Sequence, residues 1–322
     1  MSVGSHSWSS APIPGYCGER AAELTLKTVH VWARDNDCVE SAPAMRSAFV
    51  TSGDATLFTE SVGDRGAPPI LLIMGAMASG VWWPASFCAQ LAGRGRFVIR
   101  YDHRDTGRTT SGTAYSTETL ADDALAVLDA YKIESAHLVG MSLGGYLSQL
   151  LALKAPERIE TLTLVASERL AEADPAMPGM DPRIPAYHAS AAKVDWTSRD
   201  AVFEYQVGAW RLLTGTAHPF QEALIRGLAE EDWNRTPNPL TAFNHAALRA
   251  PAGWVGRLDE IHAPVLIIHG TQDPVLPYAH AVALKTAIPS SYLLTLQGSG
   301  HELHPFDWPV IIDAIIEHTA NA

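Results

Sequence analysis

The residues best suited to chemistry surround one serine. Gly140, Ser142 and Gly144 form a G-x-S-x-G pattern, and Gly145 follows it directly. A serine on a tight turn from strand to helix has a strained backbone, and side chains two positions away on either side would clash, which favours glycine there. Such a turn lifts the hydroxyl above the sheet and points the N-terminus of the next helix at the reacting centre, where it favours developing negative charge. The pattern therefore predicts that Ser142 is a nucleophile.

Histidine is the predicted base, because a serine hydroxyl is a poor nucleophile until a base takes its proton. His301 ends the sequence Gly-Ser-Gly-His, which follows the last predicted strand. Loops at the carboxyl ends of parallel strands meet at one edge of a sheet, so His301 can reach Ser142 although the two lie far apart in the chain. The alternative is His304, three residues later. We favour His301 because it directly follows the glycine turn.

A carboxylate is needed next to the base, where it fixes the tautomer of the imidazole and stabilises its protonated form. Asp273 follows the predicted strand VLIIH within His-Gly-Thr-Gln-Asp-Pro, and Glu168 follows the predicted strand TLTLVA. The chain order Ser142, Asp273, His301 resembles the order known in a family of enzymes whose nucleophile stands on such a strand-to-helix turn. We predict Asp273 as the acid and keep Glu168 as the alternative.

Hydrogen-bond donors are also needed for the negative charge that develops on a carbonyl oxygen during acyl transfer. One predicted donor is the backbone N–H of Leu143, directly after the nucleophile. The other is the N–H of Ala76, in the loop after the apolar run PILLIM, with Gly75 as the alternative. The sequence calls for no cofactor and no metal, since His301 and His304 lie on a loop without an evident third ligand.

These residues must be positioned by a mostly parallel sheet with helices on both faces, which is the α/β class. Short apolar runs predict buried strands, and stretches of helical spacing lie between them. The predicted strands are residues 47–51, 56–61, 69–74, 97–101, 136–141, 161–166, 265–269 and 292–296. The predicted helices are residues 84–91, 118–131, 143–155 and 278–286, with a final helix around residues 311–316.

Three segments of the chain have different characters. Residues 1–44 are rich in Ser, Gly and Pro at their start and are interpreted as a loosely ordered extension, with a short helix or strand at 21–33. Residues 45–168 and 261–322 form the predicted α/β core. Residues 169–260 hold no convincing strand and are too long for a simple crossover. They are predicted to form a helical cap inserted after the sixth strand.

The composition of the chain argues against some classes of binding partner and some cellular compartments. The formal charge is −12, which argues against a nucleic-acid binder. The chain has no run of about 18 apolar residues, and its N-terminus lacks the features of a secretory signal. Cys17, Cys38 and Cys88 match no zinc spacing and are interpreted as reduced thiols, with a disulfide between Cys17 and Cys38 as the alternative. We therefore expect a cytoplasmic protein with a small-molecule substrate and no membrane partner; the oligomeric state stays open.

In chain order, the motifs G-M-S-L-G-G, H-G-T-Q-D-P and G-S-G-H, with the upstream strand and glycine loop, resemble the α/β-hydrolase family from about Met45 to the C-terminus. Residues 100–110 (RYDHRDTGRTT) and 72–75 (LIMG) are similar to actinobacterial hydrolases of the aclacinomycin methylesterase type, tailoring enzymes of aromatic polyketide biosynthesis. The common His-Gly of the oxyanion loop is Met-Gly here. The resemblance implies a carboxylic ester substrate, such as a methyl ester on an apolar polycyclic compound.

Two groups of side chains are given no catalytic role. Asp102 and Arg104 are predicted to tie strand-end loops together near the site. The cap tryptophans Trp196, Trp210 and Trp233 could stack on a flat aromatic ligand, but core packing is the favoured interpretation of each.

Several functions use the same parts. Ester hydrolysis through an acyl-enzyme is the first prediction, and thioester or lactone hydrolysis and a cofactor-free haloperoxidase-like activity are alternatives. Epoxide hydrolases and haloalkane dehalogenases of this fold need a carboxylate where Ser142 stands, so both are set aside. An alternative of another class is a non-hydrolytic ligand-binding protein or cyclase, because fold does not determine function.

Overall fold

A computed structural model describes residues 45–109 and 114–320, and an eight-stranded sheet runs through these residues. The strands are β1 (Arg46–Ser52), β2 (Ala55–Val62), β3 (Pro69–Ile73), β4 (Phe97–Tyr101), β5 (Ala136–Met141), β6 (Ile159–Val165), β7 (Val265–Gly270) and β8 (Tyr292–Leu296). The α-helices are α1 (Ala85–Gly93), α2 (Thr117–Ala130), α3 (Leu143–Lys154), α4 (Arg183–Ala189), α5 (Arg199–Leu213), α6 (Glu222–Arg235), α7 (Ala279–Ala287) and α8 (Trp308–Ala320).

The strand order is β1-β2-β4-β3-β5-β6-β7-β8. β1 and β2 form an antiparallel hairpin, and its turn uses Gly53 at a φ of +55°, a conformation that glycine adopts without strain. β2 pairs with β4 antiparallel, whereas β4, β3, β5, β6, β7 and β8 pair in parallel. The chain reverses its direction of progress across the sheet at β3, and the carboxyl ends of β3 and β5 flank a crevice of the kind that binds ligands.

Helices cover both faces of the sheet, as the predicted fold class requires. Side chains alternate along β3, so that Leu71 and Ile73 pack in the layer that contains α2, α3 and α7, whereas Ile70 and Leu72 pack toward α1 and α8. All four are fully buried, and burial of each such side chain contributes about 1.5–3 kcal/mol. The continuous apolar run in the sequence therefore reflects a strand covered on both faces, and the predicted α/β class is confirmed.

Residues 169–260, here called the cap segment, connect β6 to β7. Its regular elements are α4, α5, α6 and short 3₁₀ turns that include Pro239–Ala247. The Ser198 side chain caps the start of α5 by accepting the N–H of Ala201. These described residues hold no strand. The boundaries of a separate cap at 169 and 260 stay a prediction.

The structure bears on only part of the remaining predictions. The proposed extension, with its possible element at 21–33 and with Cys17 and Cys38, lies outside the described residues. Cys88 is a buried free thiol, and burial raises its pKa to about 12. Within residues 45–109 and 114–320, none of the helices combines the length and apolar character that a membrane span requires.

Candidate active site

Ser142 stands on the turn between β5 and α3 with backbone angles φ +53° and ψ −117°. A positive φ is uncommon for a residue with a side chain and costs energy that the surroundings must supply. The neighbouring glycines make the turn possible: a Cβ built on Gly140 would lie 2.3 Å from the carbonyl oxygen of Gly144. A Cβ on Gly144 would lie 2.0 Å from the carbonyl oxygen of Ile73. The glycines of the motif therefore allow the close approach of strand and helix at this turn.

His301 and Asp273 form a buried hydrogen-bonded pair. The Nδ1 of His301 lies 2.8 Å from the Oδ2 of Asp273, and the Oδ1 of Asp273 accepts the N–H groups of Val275 and Leu276 at 2.8 Å. Burial on its own raises the pKa of Asp273, but the charge of His301 and hydrogen bonds from His269 and His301 outweigh it and lower that pKa. Since an ionised carboxylate only accepts, Nδ1 of His301 carries a proton, and in the neutral form of the ring Nε2 has the free lone pair.

The two alternative residues are engaged elsewhere. The carboxylate of Glu168 lies 3.6 Å from Nδ1 of His280, and its side chain is 46% exposed. His304 donates from Nε2 to the carbonyl oxygen of Pro219 in the cap segment, at 3.1 Å. The structure therefore brings Asp273, rather than Glu168, to His301.

The loop after β3, residues 74–77, lies against the serine and is called the oxyanion loop below. A Cβ built on Gly75 would lie 3.3 Å from the Cβ and 3.9 Å from the Oγ of Ser142. Ala76 lines the same cavity as Ser142. Leu143 begins α3, so its N–H has no partner within the helix. The predicted donors thus stand on the two chain segments that adjoin the nucleophile.

Two buried histidines hold the oxyanion loop, and neither was given a role from the sequence. His103 donates from Nε2 to the carbonyl oxygen of Met74 at 2.9 Å, and His245 accepts the N–H of Met77 on Nδ1 at 2.9 Å. Burial lowers the pKa of both rings, that of His103 to about 3. His103 stands within the stretch 100–110 that carries the family resemblance, whereas nothing in the local sequence pattern around His245 indicates its contact.

A cavity of about 310 Å³ opens above the serine, and Ser142, His301 and Ala76 all line it. Most of the other lining side chains are apolar, and the aromatic ones are Trp82, Trp196, Tyr205, Trp210 and Phe243. Trp82 of the core stacks on Trp210 of the cap segment with ring centroids 4.5 Å apart. Trp233 does not line this cavity and meets Phe203 edge to face.

Polar side chains form a minority of the cavity wall. Asp232 on α6 accepts hydrogen bonds from Ser79 Oγ at 2.6 Å and from Trp82 Nε1 at 3.3 Å. Burial raises the pKa of this carboxyl. The Oε1 of Gln206 is buried without a hydrogen-bond partner among the described residues. An apolar ligand with few hydrogen-bonding groups fits such a wall best.

Asp102 and Arg104 tie loops together, as expected. Asp102 accepts the N–H of Gly80 at 2.8 Å and an N–H of Arg235, on α6, at 2.8 Å. Arg104 donates two hydrogen bonds, 2.8 and 3.0 Å long, to the carboxylate of Asp123 on α2. These buried pairs join the loop after β4 to a core helix and to the cap segment.

Known proteins share this architecture. Residues 68–307 match the α/β hydrolase fold family. A rhodomycin D methylesterase of Streptomyces sp. (strain C5) is 35% identical over 86% of this chain and 99% of its own length. A rhodomycin D methylesterase of Streptomyces peucetius is 34% identical with the same coverage. An esterase from Exiguobacterium antarcticum has the same fold, with a TM-score of 0.71 at 21% identity over 85% of this chain and all of that one. These matches confirm the resemblance found in the sequence: the chain belongs to the α/β hydrolase fold family.

Proposed function

We propose that the protein hydrolyses a methyl ester on an aromatic, polyketide-like small molecule through an acyl-enzyme on Ser142. One observation carries the proposal: the serine on its strained turn lines one aromatic-walled cavity together with His301, and His301 is hydrogen-bonded to Asp273. The enzyme class, a carboxylic ester hydrolase, is confirmed by the family match and the methylesterase relatives.

The first half of the reaction forms the acyl-enzyme. The Oγ of Ser142 attacks the ester carbonyl while the Nε2 of His301 takes its proton. Asp273 holds the ring in this tautomer and stabilises the imidazolium. The N–H groups of Leu143 and Ala76 donate to the oxyanion of the tetrahedral intermediate. The C–O bond to the methoxy group then breaks, and methanol leaves with the proton from His301.

The second half releases the acid. Water enters the position that methanol has left and gives a proton to Nε2 of His301 as its oxygen attacks the acyl carbonyl. The bond to Ser142 breaks, and the serine oxygen regains a proton from His301. The sum is ester plus water giving carboxylic acid plus methanol, and the enzyme returns to its starting state.

The cavity supports the substrate class. Its volume of about 310 Å³ lies at the lower end of pockets that bind drug-sized ligands. Trp196, Trp210 and Phe243 provide flat apolar surfaces on the cap-segment side, and aromatic faces favour stacking on flat rings. The two methylesterase relatives are named for one substrate, rhodomycin D. We extend only the class, a methyl ester beside fused rings, to this protein.

The test compares wild type with Ser142→Ala on two probes, p-nitrophenyl acetate and methyl 2-naphthoate. We expect release of p-nitrophenol and of methanol, and a loss of about a million-fold in turnover in the variant because the attacking atom is gone. Ser290→Ala, at an exposed position, is the control and keeps full activity.

Other outcomes separate the alternatives. Equal rates in wild type and Ser142→Ala would remove Ser142 from its role. Turnover of the nitrophenyl ester without methanol release would contradict the methyl ester and direct the search to thioesters and lactones. Tight binding of a polycyclic ligand without turnover of any ester would favour a binding protein.

A further inference from the structure

We propose that His245, a residue of the cap segment, is a positioning residue that holds the oxyanion loop in its catalytic form. The oxyanion hole is then complete only while the 3₁₀ turn Pro239–Ala247 lies on the core. This inference rests on the proposed function, because it assigns the oxyanion donor to the loop that His245 contacts.

His245 bridges two core loops as a neutral ring. It is 5% exposed, and its Nδ1 accepts the N–H of Met77 at 2.9 Å while its Nε2 lies 2.8 Å from the carbonyl oxygen of Arg104. Since a carbonyl oxygen only accepts, the ring proton is on Nε2 and the Nδ1 lone pair points at Met77. Both ring nitrogens of this cap-segment residue are therefore committed to the core.

The oxyanion loop needs such an anchor because its backbone is strained. Met77 has a φ of +64°, a region that costs a non-glycine residue about 1–2 kcal/mol. Residues in such conformations persist only where their surroundings fix them. The bond to His245 fixes the peptide unit between Ala76 and Met77, which directly follows the unit that carries the Ala76 N–H.

The other end of the loop is held from the core, by the bond from His103 to the carbonyl oxygen of Met74. The peptide that carries the predicted donor therefore lies between two histidine anchors. Only the anchor at Met77 comes from the cap segment. Loss of that anchor frees the loop on the C-terminal side of the donor.

The kinetic consequence falls on the chemical step. The donor acts on the oxyanion, which exists only in the transition state and intermediate, so its displacement lowers kcat more than it changes KM. Removal of one such donor lowers kcat by about 10²- to 10³-fold. A displacement of a catalytic group by about 1 Å lowers the rate by about 10²-fold. If His245 only tethered the cap segment to the core, loss of its contact with Met77 would not be expected to lower kcat.

Two substitutions at His245 separate its two contacts. In His245→Asn the amide oxygen occupies the place of Nδ1 and still accepts the N–H of Met77. In His245→Gln the amide nitrogen occupies the place of Nε2 and still donates to Arg104, but the acceptor for Met77 is lost. On p-nitrophenyl acetate we expect His245→Asn to keep most of the wild-type kcat. We expect His245→Gln to lose about 10- to 100-fold in kcat with little change in KM.

A second readout does not depend on turnover. Hydrogen exchange of a peptide that covers residues 74–77, followed by mass spectrometry, is expected to be faster in His245→Gln than in wild type and His245→Asn. The control is His318→Asn, because His318 contacts the carbonyl oxygen of Leu162 away from the site; it keeps both kcat and the exchange rate. If His245→Gln does not fold, His245→Asn still tests the proposal. A loss of about 10- to 100-fold in the kcat of folded His245→Asn would overturn it.

The reverse order of the two variants, with His245→Gln active and His245→Asn impaired, would show that the Arg104 contact matters and would overturn the proposal. Unchanged kcat and exchange in both variants would overturn it as well. Failure of the proposed function has a different signature, since wild type would then release no methanol from methyl 2-naphthoate, while the exchange measurement would still decide whether His245 holds the loop.

Discussion

Ser142, Asp273 and His301 are residues whose surroundings in the sequence already indicate their chemistry, because each stands in a short motif at the carboxyl end of a strand. His245 is different. It contacts Met77 across 168 positions of the chain, and its neighbours in sequence show no pattern that points to this contact. Local rules of backbone geometry predict a nucleophile turn, whereas a contact between a 3₁₀ turn and a distant loop depends on how the whole chain packs.

At the residue scale, the two candidate acids can be separated by removing one charge at a time. We expect Asp273→Asn to lower kcat by about 10⁴-fold, since an amide that donates to His301 holds the ring in the wrong tautomer. We expect Glu168→Gln to keep kcat near the wild-type value, because its carboxylate faces His280. Steady-state kinetics on p-nitrophenyl acetate measures both. A large loss in the Glu168 variant alone would identify that residue as the acid.

At the scale of elements, the sheet was predictable and the attachment of the cap segment was not. The apolar runs of β3 to β8 have the length of strands and are flanked by glycines and polar residues, which favours strands. The bounds of the eight predicted strands agree with the observed ones to within about two residues. The attachment depends on buried ion pairs. Arg235 at the end of α6 lies 2.8 Å from Asp102 and 3.1 Å from Glu60. The hydrophobic periodicity of the sequence does not indicate an ion pair between positions so far apart in the chain.

Two arginines on the same helix provide a matched test of that attachment. Arg235→Met leaves the buried Asp102 without its cationic partner and is expected to lower the free energy of unfolding by about 3 kcal/mol. Arg226→Met removes pairs to Glu204 and Glu222 at the surface and is expected to change that free energy little. Urea unfolding followed by circular dichroism measures both. Equal effects of the two substitutions would contradict a special role for the Arg235 pairs.

At the scale of the whole molecule, several histidines are buried in neutral form. Burial, together with the charge of Arg96, lowers the pKa of His137 to about 4. The Nδ1 of His137, on β5, lies 3.1 Å from the Oγ1 of Thr161, on β6. Below its ordinary pKa of about 6.5 the unfolded chain binds a proton at this position that the folded chain does not bind until pH about 4. Acidification through this window therefore favours the unfolded state.

His137→Gln removes this contribution. Between pH 6.5 and pH 4, the free energy of unfolding of the variant is expected to fall less steeply than that of wild type, by about 1.4 kcal/mol per pH unit. Urea unfolding at a series of pH values measures the two slopes. His262→Gln, at an exposed position, is the control and keeps the wild-type slope. Parallel slopes for wild type and His137→Gln would mean that the folded protein protonates His137 as easily as the unfolded chain does.

The stacked pair of Trp82 and Trp210 joins a core ring to a ring of the cap segment at an interplanar angle of 21°. Indoles at this separation couple their electronic transitions, and the coupling depends steeply on spacing and tilt. Any ligand that separates the cap segment from the core at this point changes the near-ultraviolet circular dichroism of the protein. The stacked pair is therefore an intrinsic optical reporter of the spacing between the cap segment and the core at this point, and it needs no added label.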